Sequence, residues 1–506
     1  MRGLNTKLFL FLFLLFALLA PPEIDSTDGY IRLHVAKSII ERQRVDIEPL
    51  GDLGVPGSAQ SVLGRNHLHY SVYEPGQSIF FLPFILIAKT FGGTGTEVFF
   101  ASMLNPIFSA LTGCLVLAFC TKLGYSNRTA VLVVFINGFA TFALRYSKSF
   151  QQEAQETFLA LGAIYCWFLF SKSRSKKQWA GAVLCVGLAV LTRSTLIMLL
   201  IPCFVLSWRM MPGQTRTPRR FVLDATSLLA GLIPFILVQL GYNWLKFESI
   251  WESGLLTRSG TVSFRAAFSN PLAVGLYGLL FSPGKGLIWY APPVILAPWA
   301  FVLFARRHRA LAEAFICFVG GYLLLLAKYV IWNGGWDWGP RYLLPCVPLL
   351  VIPLSQIAEN LSAKTTWRRD FVRGLAMAGL IVQLPAVYVS HNAYYLDMIE
   401  QNKITWLFFT ADNKEKLRLF NRIADAQIPR QFQIAAATWM GNSRILGREL
   451  RPDLLIATVY RNGPDKAVCV LALLALVSLL ACLAWVLRKE LEDGLPTETA
   501  IDASLP

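Results

Sequence analysis

Long apolar runs separated by short polar clusters recur along the whole chain. Runs of near-spanning length lie at about 98–121, 129–145, 155–171, 178–192, 194–208, 222–241, 286–305, 311–331, 341–357, 374–391 and 467–487. A helix that crosses a bilayer needs about 20 predominantly apolar residues, within a range of roughly 17–25. The stretch 178–208 is too long for one helix and is interrupted at Thr192-Arg193-Ser194, so it reads as two. At the N-terminus, MRGLNTK precedes LFLFLFLLFALLA and then Pro21-Pro22. That run has the length of a signal-peptide core or of a short span. The stretch before Pro21 lacks an A-x-A pattern, which favours an uncleaved first helix.

Residues 76–91 (GQSIFFLPFILIAKTF) are apolar enough to cross but short, and they contain Pro83. Charge decides how to read them, because Lys and Arg accumulate on cytoplasmic loops. If 76–91 lies along the outer surface, then Lys122/Arg128, Lys172–Lys177, Arg209–Arg220, Arg306–Arg309, Lys364–Arg373 and Arg488/Lys489 all fall inside with Arg2 and Lys7. If it crosses, every later cluster flips outward. The segment is therefore read as a juxtamembrane or re-entrant helix. The expectation is an all-α polytopic membrane protein with about 12 transmembrane helices, juxtamembrane helices on the outer face and both termini cytoplasmic. It divides into a transmembrane core at 1–391 with an outer first loop at 22–97, an outer-face soluble loop or subdomain at 392–466, a final transmembrane helix at 467–487, and a disordered cytoplasmic tail at 488–506.

Composition agrees with this reading. The chain of 506 residues is 55% hydrophobic and 15% charged, against about 25% charged in soluble domains. Its mean hydropathy is +0.50. A charge at mid-bilayer costs about 2.5–3.5 kcal/mol on insertion scales, so the few charges belong in loops or in a shielded site. The net charge of +16 follows the cytoplasmic loops, and nucleic acid is not an expected partner. The nine cysteines form no CxxC and sit in or beside apolar runs, as small hydrophobes do; no disulfide framework or zinc site is indicated.

The outer segments hold ionisable residues at the membrane boundary, where such residues are functional candidates by default. The first loop carries Asp25-Ser-Thr-Asp28-Gly29-Tyr30, an amphipathic stretch, and then HLHYSVYEPGQS with Tyr70, Tyr73 and Glu74. The next carries Arg145, Tyr146, Lys148, Glu153 and Glu156. Later ones are YNWLKFESIWESG, FSPGKGLIWYAP with Lys285, and WNGGWDWGPRYLLP with Trp336, Asp337 and Arg341. A carboxylate can take a proton from an attacking hydroxyl or hold a divalent cation. Lys and Arg can neutralise a phosphate leaving group. Gly-rich turns present N–H groups to anions, and Trp and Tyr suit sugar rings and membrane interfaces alike. Together these parts describe transfer from a lipid phosphate.

The order of these segments resembles the C-class membrane glycosyltransferases. A first helix is followed by an acidic loop, a Tyr…Pro-Gly juxtamembrane segment, two spans and then Tyr-Ser-Lys…Glu. Relatives in that class include the protein O-mannosyltransferases and the lipid A aminoarabinose transferases. The resemblance covers about residues 8–355; residues 392–466 match no known pattern. It implies that Asp28 stands for the first-loop catalytic acid, the general base. It implies that Glu153 stands for the second-loop acid near the donor phosphate or a metal. Arg341 and Lys285 become phosphate contacts, with Lys148, Asp337, Trp336, Tyr70, Tyr73 and Glu74 around the substrate. No metal ligands are assigned, and a divalent metal ion is the one cofactor left open. Two departures stand out. The family's Asp-Glu pair is Asp28-Gly29 here, and Val72 and Glu74 stand where a Lys or Arg is usual.

The expected activity is that of an inverting hexosyl- or pentosyltransferase in the cell membrane, facing the periplasm or exterior. It would take sugar from a polyprenyl-phosphate donor and pass it to a lipid, glycan or protein acceptor. The alternative is a transporter or lipid flippase, which would place its polar residues near mid-membrane, often in repeated halves. Simpler roles compete at each position. Asp28 can cap a helix beginning near Tyr30, with Asp25 its substitute as the base. Glu156 can replace Glu153, Lys148 and Arg145 can snorkel, and Arg341 can pair with Asp337. Arg193 reads as a lipid-headgroup contact, His67 and His69 as a weak metal pair, and Trp332, Trp336 and Trp338 as interface aromatics.

Overall fold

The computed structural model describes residues 2–21, 23–47, 61–92, 95–211, 217–254, 264–360, 366–405, 412–455, 457 and 466–493. Its regular structure is almost entirely helical. Helix α1 (Arg2–Leu19) ends just before the Pro21-Pro22 pair, as helices do ahead of proline. Helix α2 (Thr27–Arg42) starts at an N-cap made by Ser26, whose side chain accepts from the Gly29 amide. The cap is thus Ser26 rather than Asp28, and the helix begins three residues before Tyr30. A hairpin of β1 (Ser61–Leu63) and β2 (His69–Ser71) follows, with Val62 opposite Tyr70. Then come α3 (Gly76–Phe91), α4 (Thr96–Ser102), α5 (Leu104–Lys122), α6 (Asn127–Phe139), α7 (Glu153–Ser173), α8 (Lys176–Thr192), α9 (Leu200–Arg209), α10 (Pro218–Phe247), α11 (Leu272–Leu280) and α12 (Ala297–Lys328). After a broken helical stretch at 341–360 come α13 (Thr366–Tyr388), α14 (Asn392–Glu400), α15 (Asn413–Phe420), α16 (Gln427–Trp439) and α17 (Lys466–Asp493).

Among the described residues five helical stretches have the length and apolarity to cross a membrane: Thr96–Lys122, Pro218–Phe247, Pro292–Lys328, Arg341–Glu359 and Asp370–Tyr388. Gly3–Leu19, Gly76–Phe91, Asn127–Phe139 and Ser194–Arg209 are apolar but shorter. The runs expected at 286–305 and 311–331 share the stretch Pro292–Lys328, which is two arms rather than one rod. His308 leaves the helical region there (φ −132°, ψ 52°). Helix α1 packs against α5 and α17, so the first apolar run is part of the bundle. Beyond residue 391 the described residues add the short helices α14 to α16, a single helical turn at Ile423–Asp425 and a small hairpin of Arg444–Ile445 with Arg448–Glu449. Helix α17 runs past residue 487 to Asp493, and the tail beyond it lies outside the described residues.

The helix termini sort to two ends. At one end Asn105, at the start of α5, donates to the carbonyls of Tyr146 and Gln151. At the other end charges pair between helices: Lys7 with Glu490, Arg174 with Asp224 and Arg209 with Glu313. Helix α3 does not carry the chain between the ends. Its first residue, Gly76, lies so close to the Leu191 and Thr192 backbone that an added Cβ would sit 2.6 Å from it. The chain that leaves α3 through α4 re-enters the bundle at Asn105, at that same end. Phe81 and Ile85 of α3 form a separate cluster with Leu33, Ala36, Ala101, Leu104 and Phe150, while Leu86, Ile87 and Phe91 stay exposed. Helices α2 and α3 are therefore a layer laid over one end of the bundle.

This arrangement predicts opposite labelling of two exposed positions flanking α5 to α7. In a background without reactive native thiols, Asn66→Cys and Lys177→Cys should react with an impermeant maleimide from opposite faces of sealed vesicles. Labelling of both from one face would mean that α3 crosses.

Candidate active site

One end of the bundle gathers the boundary residues into a buried polar cluster centred on Arg341. This side chain opens the broken stretch at 341–360. Its Nη1 lies 2.6 Å from the Asp337 carboxylate and 3.4 Å from Asp28, and its Nε lies 3.7 Å from Glu153. The pairing of Arg341 with Asp337 is present, but it is one contact of three. Glu153 and Glu156 begin α7 one turn apart, and both meet Arg193 at the end of α8, at 3.1 and 2.6 Å. Arg193 is therefore not a headgroup contact. Its neighbours are two fully buried carboxylates, and its guanidinium lies over the Tyr342 ring.

Asp28 sits in the first turn of α2, where a negative charge suits the helix dipole. Tyr73 donates its hydroxyl to Asp28 at 2.6 Å, and Arg32 stacks 4.0 Å from the Tyr73 ring centroid. Arg32 also donates to Gln77, which in turn donates to the Phe150 carbonyl. The neighbouring Gly29 explains one departure from the family pattern. A Cβ there would lie 2.6 Å from Phe150 Cβ and from the Phe150 carbonyl oxygen. A second acidic side chain after Asp28 has no room, because the loop ahead of α7 occupies its place.

Asp25 belongs to a second, drier network. Arg145 donates to it at 2.7 Å, the Phe150 amide at 2.9 Å, and Asn392 anchors its carbonyl. Asp25 is 2% exposed, whereas Asp28 is 14% exposed; of the two, Asp28 is the one a substrate can reach. Burial alone would raise the Asp25 carboxyl, but Arg145, His391 and the Phe150 amide hold it below its ordinary value. His391 is pushed down by burial and by Arg145, against Asp337 and Asp25. Arg145 donates to His391 Nδ1 at 2.6 Å, so the ring proton sits on Nε2, which donates to the Trp336 carbonyl at 3.1 Å. Burial also works against the Asp337 carboxylate, but Arg341 and His391 keep it below its usual range.

The remaining sequence candidates divide. Lys285 is fully buried, and its ammonium donates to the Asp337 carbonyl at 2.5 Å. Burial pushes it down to about 7, with Arg341 adding and Asp337 opposing. Tyr395 and Gln427 donate to the same carbonyl. Trp336 stacks on Tyr395 with centroids 5.3 Å apart. Lys148 does not face the site. It donates to the Val387 carbonyl at 2.9 Å and pairs with Asp453 at 3.1 Å. Burial lowers it to about 8, and its position is that of a tie between loops. Tyr70 is also removed from the cluster: it packs edge-on against Phe247 and donates to the Arg65 carbonyl. Glu74 accepts from the Ser194 amide, which places it beside the end of α8. Trp332 and Trp338 are fully buried core residues rather than interface aromatics. Sequence reading missed His391, Gln77, Arg32, Tyr395 and Gln427; of these only His391, at the end of an apolar run, carried a visible signal.

A divalent cation does not fit this cluster. Among the described residues no group of three or more His, Cys, Asp or Glu side chains could hold a metal ion. The Glu153 and Glu156 Oε2 atoms are buried without hydrogen-bond partners, but Arg193 and Arg341 already stand against these carboxylates. His67 is exposed, and among the described residues no metal site forms around it or His69.

Residues 80–240 match a family model described as dolichyl-phosphate-mannose-protein mannosyltransferase. The match supports the C class of membrane glycosyltransferases. It covers less than half of the chain and includes Glu153, Glu156 and Arg193, while Asp28 and Arg341 lie outside it. No curated protein sequence matches the chain. Among solved structures, the oligosaccharyltransferase of Archaeoglobus fulgidus with a tethered acceptor peptide aligns at TM-score 0.43 and 12% identity. The alignment covers 80% of this chain and 59% of that one, so the chain spans about three-fifths of its length. A likeness so distant adds nothing to the argument.

Unequal burial of the two aspartates predicts unequal costs. Asp25→Asn strands the Arg145 charge and should destabilise the purified protein by about 3–5 kcal/mol. Asp28→Asn leaves Arg341 its other carboxylates and should cost less than about 1 kcal/mol. Thermal unfolding in nanodiscs measures both, and equal losses would contradict the division into a structural and a reachable acid.

Proposed function

We propose that the chain transfers a sugar from a polyprenyl-phosphate donor to an acceptor hydroxyl, with Asp28 as general base. The observation that carries this reading is the meeting of the reachable Asp28 with the Arg341 guanidinium at 3.4 Å. A base and a phosphate-binding cation are thereby held side by side at one end of a helical bundle.

In the proposed step the acceptor hydroxyl oxygen attacks the anomeric carbon, and its proton passes to the Asp28 carboxylate. The bond between the anomeric carbon and the phosphate oxygen breaks, and its electron pair leaves with the polyprenyl phosphate. Attack opposite the leaving group inverts the anomeric centre. Arg341 and protonated Lys285 offset the charge gathering on the phosphate, Arg341 through paired donors. Tyr73 keeps Asp28 aimed, while Arg193 holds Glu153 and Glu156 in place behind Arg341. No step is routed through a metal. The outward-facing side of the membrane is the proposed location, because the opposite end carries Lys7, Arg174 and Arg209, cations of the kind that accumulate on the cytoplasmic side. A transporter is less well supported, since the polar residues gather at one end of the bundle rather than at mid-depth.

Asp28→Asn should lower transfer from purified polyprenyl-phosphate sugar by roughly 10³-fold or more, within the range for a lost general base together with its alignment. Glu153→Gln should lower it by about 10–100-fold through misplacement of Arg341. Wild-type rates in both variants would overturn the assignment.

Lys285 gives a pH test. It carries its charge below about 7 and loses it above, so kcat should fall as pH rises through that value. Lys285→Arg stays charged throughout and should flatten that alkaline limb. An unchanged profile would remove Lys285 from phosphate binding.

A further inference from the structure

Helix α16 begins in the active-site cluster, where Gln427 donates to the Asp337 carbonyl at 3.1 Å. Its 13 residues carry the chain about 20 Å from there, at 1.5 Å per residue. Gln431, Ile434 and Thr438 are buried against the bundle, and Gln431 donates to the Val389 and Ser390 carbonyls. The opposite face carries Phe432, Ala436, Trp439 and Met440, at the i, i+4, i+7 and i+8 spacing of one helix face, and it is exposed. Trp439 is 79% exposed and Met440 66%.

Helix α13 fixes where this face lies. The span Asp370–Tyr388 has 19 residues, about 28 Å of helix against a hydrocarbon core of about 30 Å. Tyr388 therefore stands at one edge of that core. Met377, Ile381 and Leu384 are exposed along one face of α13, and Tyr388 continues that face by a further turn. An exposed apolar stripe on a spanning helix faces lipid. Trp439 packs against Tyr388 at the edge of the core, with ring centroids 6.1 Å apart. The chain then runs through the hairpin of Arg444–Ile445 with Arg448–Glu449 and returns to the same residue. There the Asp453 amide donates to the Tyr388 carbonyl at 2.8 Å. Residues 440–451 hold three arginines and one glutamate, and both Arg444 and Arg448 are exposed.

We infer that residues 432–451 dock on the bilayer surface at the active-site end. Trp439 and Met440 enter the interface, and Arg444 and Arg448 meet anionic phospholipid headgroups. The position continues the lipid-facing stripe of α13, and its chemistry matches the headgroup region. Amphipathic rings settle there, and long basic side chains reach the phosphates while their stems cover apolar surface. The docked surface is also tied to the site. Asp453 pairs with Lys148 of the 146–151 loop at 3.1 Å, and α16 itself begins at the Asp337 carbonyl. The bilayer surface thereby braces both from outside. The inference needs only the membrane-spanning fold and is independent of which group the site transfers.

The test places an environment-sensitive NBD fluorophore at Met440→Cys, in a background without reactive native thiols. The full chain is reconstituted at one copy per nanodisc, in phosphatidylcholine with or without phosphatidylglycerol. Lipids spin-labelled near the headgroup should quench the probe more than lipids labelled at the tail end. Iodide in the water should quench it far less than the same probe at Asn66→Cys. Arg444→Ala/Arg448→Ala should lower the docked-to-free ratio in phosphatidylglycerol discs by roughly fivefold for each arginine, with a much smaller change in phosphatidylcholine alone. Trp439→Ser should raise iodide quenching in both lipids. Iodide quenching at Met440→Cys equal to that at Asn66→Cys, or an equal effect of the arginine changes in both lipids, would overturn the proposal. Shielding that appears only with two copies per disc would assign the face to self-association and overturn it as well.

Discussion

The burial of one guanidinium among three carboxylates sets the terms for this end of the protein. Arg341 meets Asp28, Glu153 and Asp337, which come from a helix start, a second helix start and a glycine-rich loop. Removing such charges from water costs several kcal/mol each unless the partners are well placed. The surrounding structure meets that demand. Gln151 donates to Asp337, and three donors converge on the Asp337 carbonyl. Arg193 answers the charge of Glu153 and Glu156. Breaking one pair leaves its neighbour uncompensated, so the cluster is a cooperative unit and not a set of separable contacts.

Around it lies a shell of ties that hold loops to helix ends. Asn105 binds the carbonyls of the 146–151 loop, and Tyr146 reaches the Trp338 carbonyl at 2.9 Å. Lys148 joins that loop to Val387 and Asp453. Helices α14 to α16 close over the same end. Tyr394 and Tyr395 are fully buried, Gln427 reaches the Asp337 carbonyl, and the Phe420 carbonyl accepts from the Gly284 amide. Residues 392–405 and 412–439 thus supply part of the wall against which the 146–151 and 332–341 loops are set.

Hydropathy and charge patterning mark where chain and membrane boundary coincide, and with the family resemblance they made Asp28, Glu153, Lys285, Asp337 and Arg341 candidates, which the fold brings into one cluster. For residues 76–91 the same patterning favoured a juxtamembrane helix, because the alternative reverses every later basic cluster; in the fold, Gly76 lies against the Leu191 and Thr192 backbone at the end where Asn105 opens α5. The same signal cannot distinguish a residue aimed at substrate from one aimed at another loop. Lys148 and Arg145 lie three residues apart at one boundary, yet both are buried ties. Arg193 looked like a surface cation because Glu153 and Glu156, its partners, are distant in sequence. Trp332 and Trp338 carry an interfacial composition but are buried, Trp332 against Phe420 and Asn413 of α15 and Trp338 against Tyr290 and Gln383, which no local pattern foretold. Gly29 is the converse case: a missing side chain in the motif becomes intelligible only when Phe150 is seen against it.

Asp28 and Arg341 are separated by 313 positions in the chain. At synthesis rates of about 5–20 residues per second, the acid precedes its cation by on the order of 15–60 s. Throughout that interval Asp28 has no Arg341, and Glu153 and Glu156 acquire Arg193 well before Arg341 is made. Until the 332–341 loop arrives, Asp28 is the carboxylate left without its cation. Closure of the polar cluster is consequently a late event in biogenesis, and a chain halted before that loop has Asp28, Glu153 and Glu156 but lacks both Asp337 and Arg341.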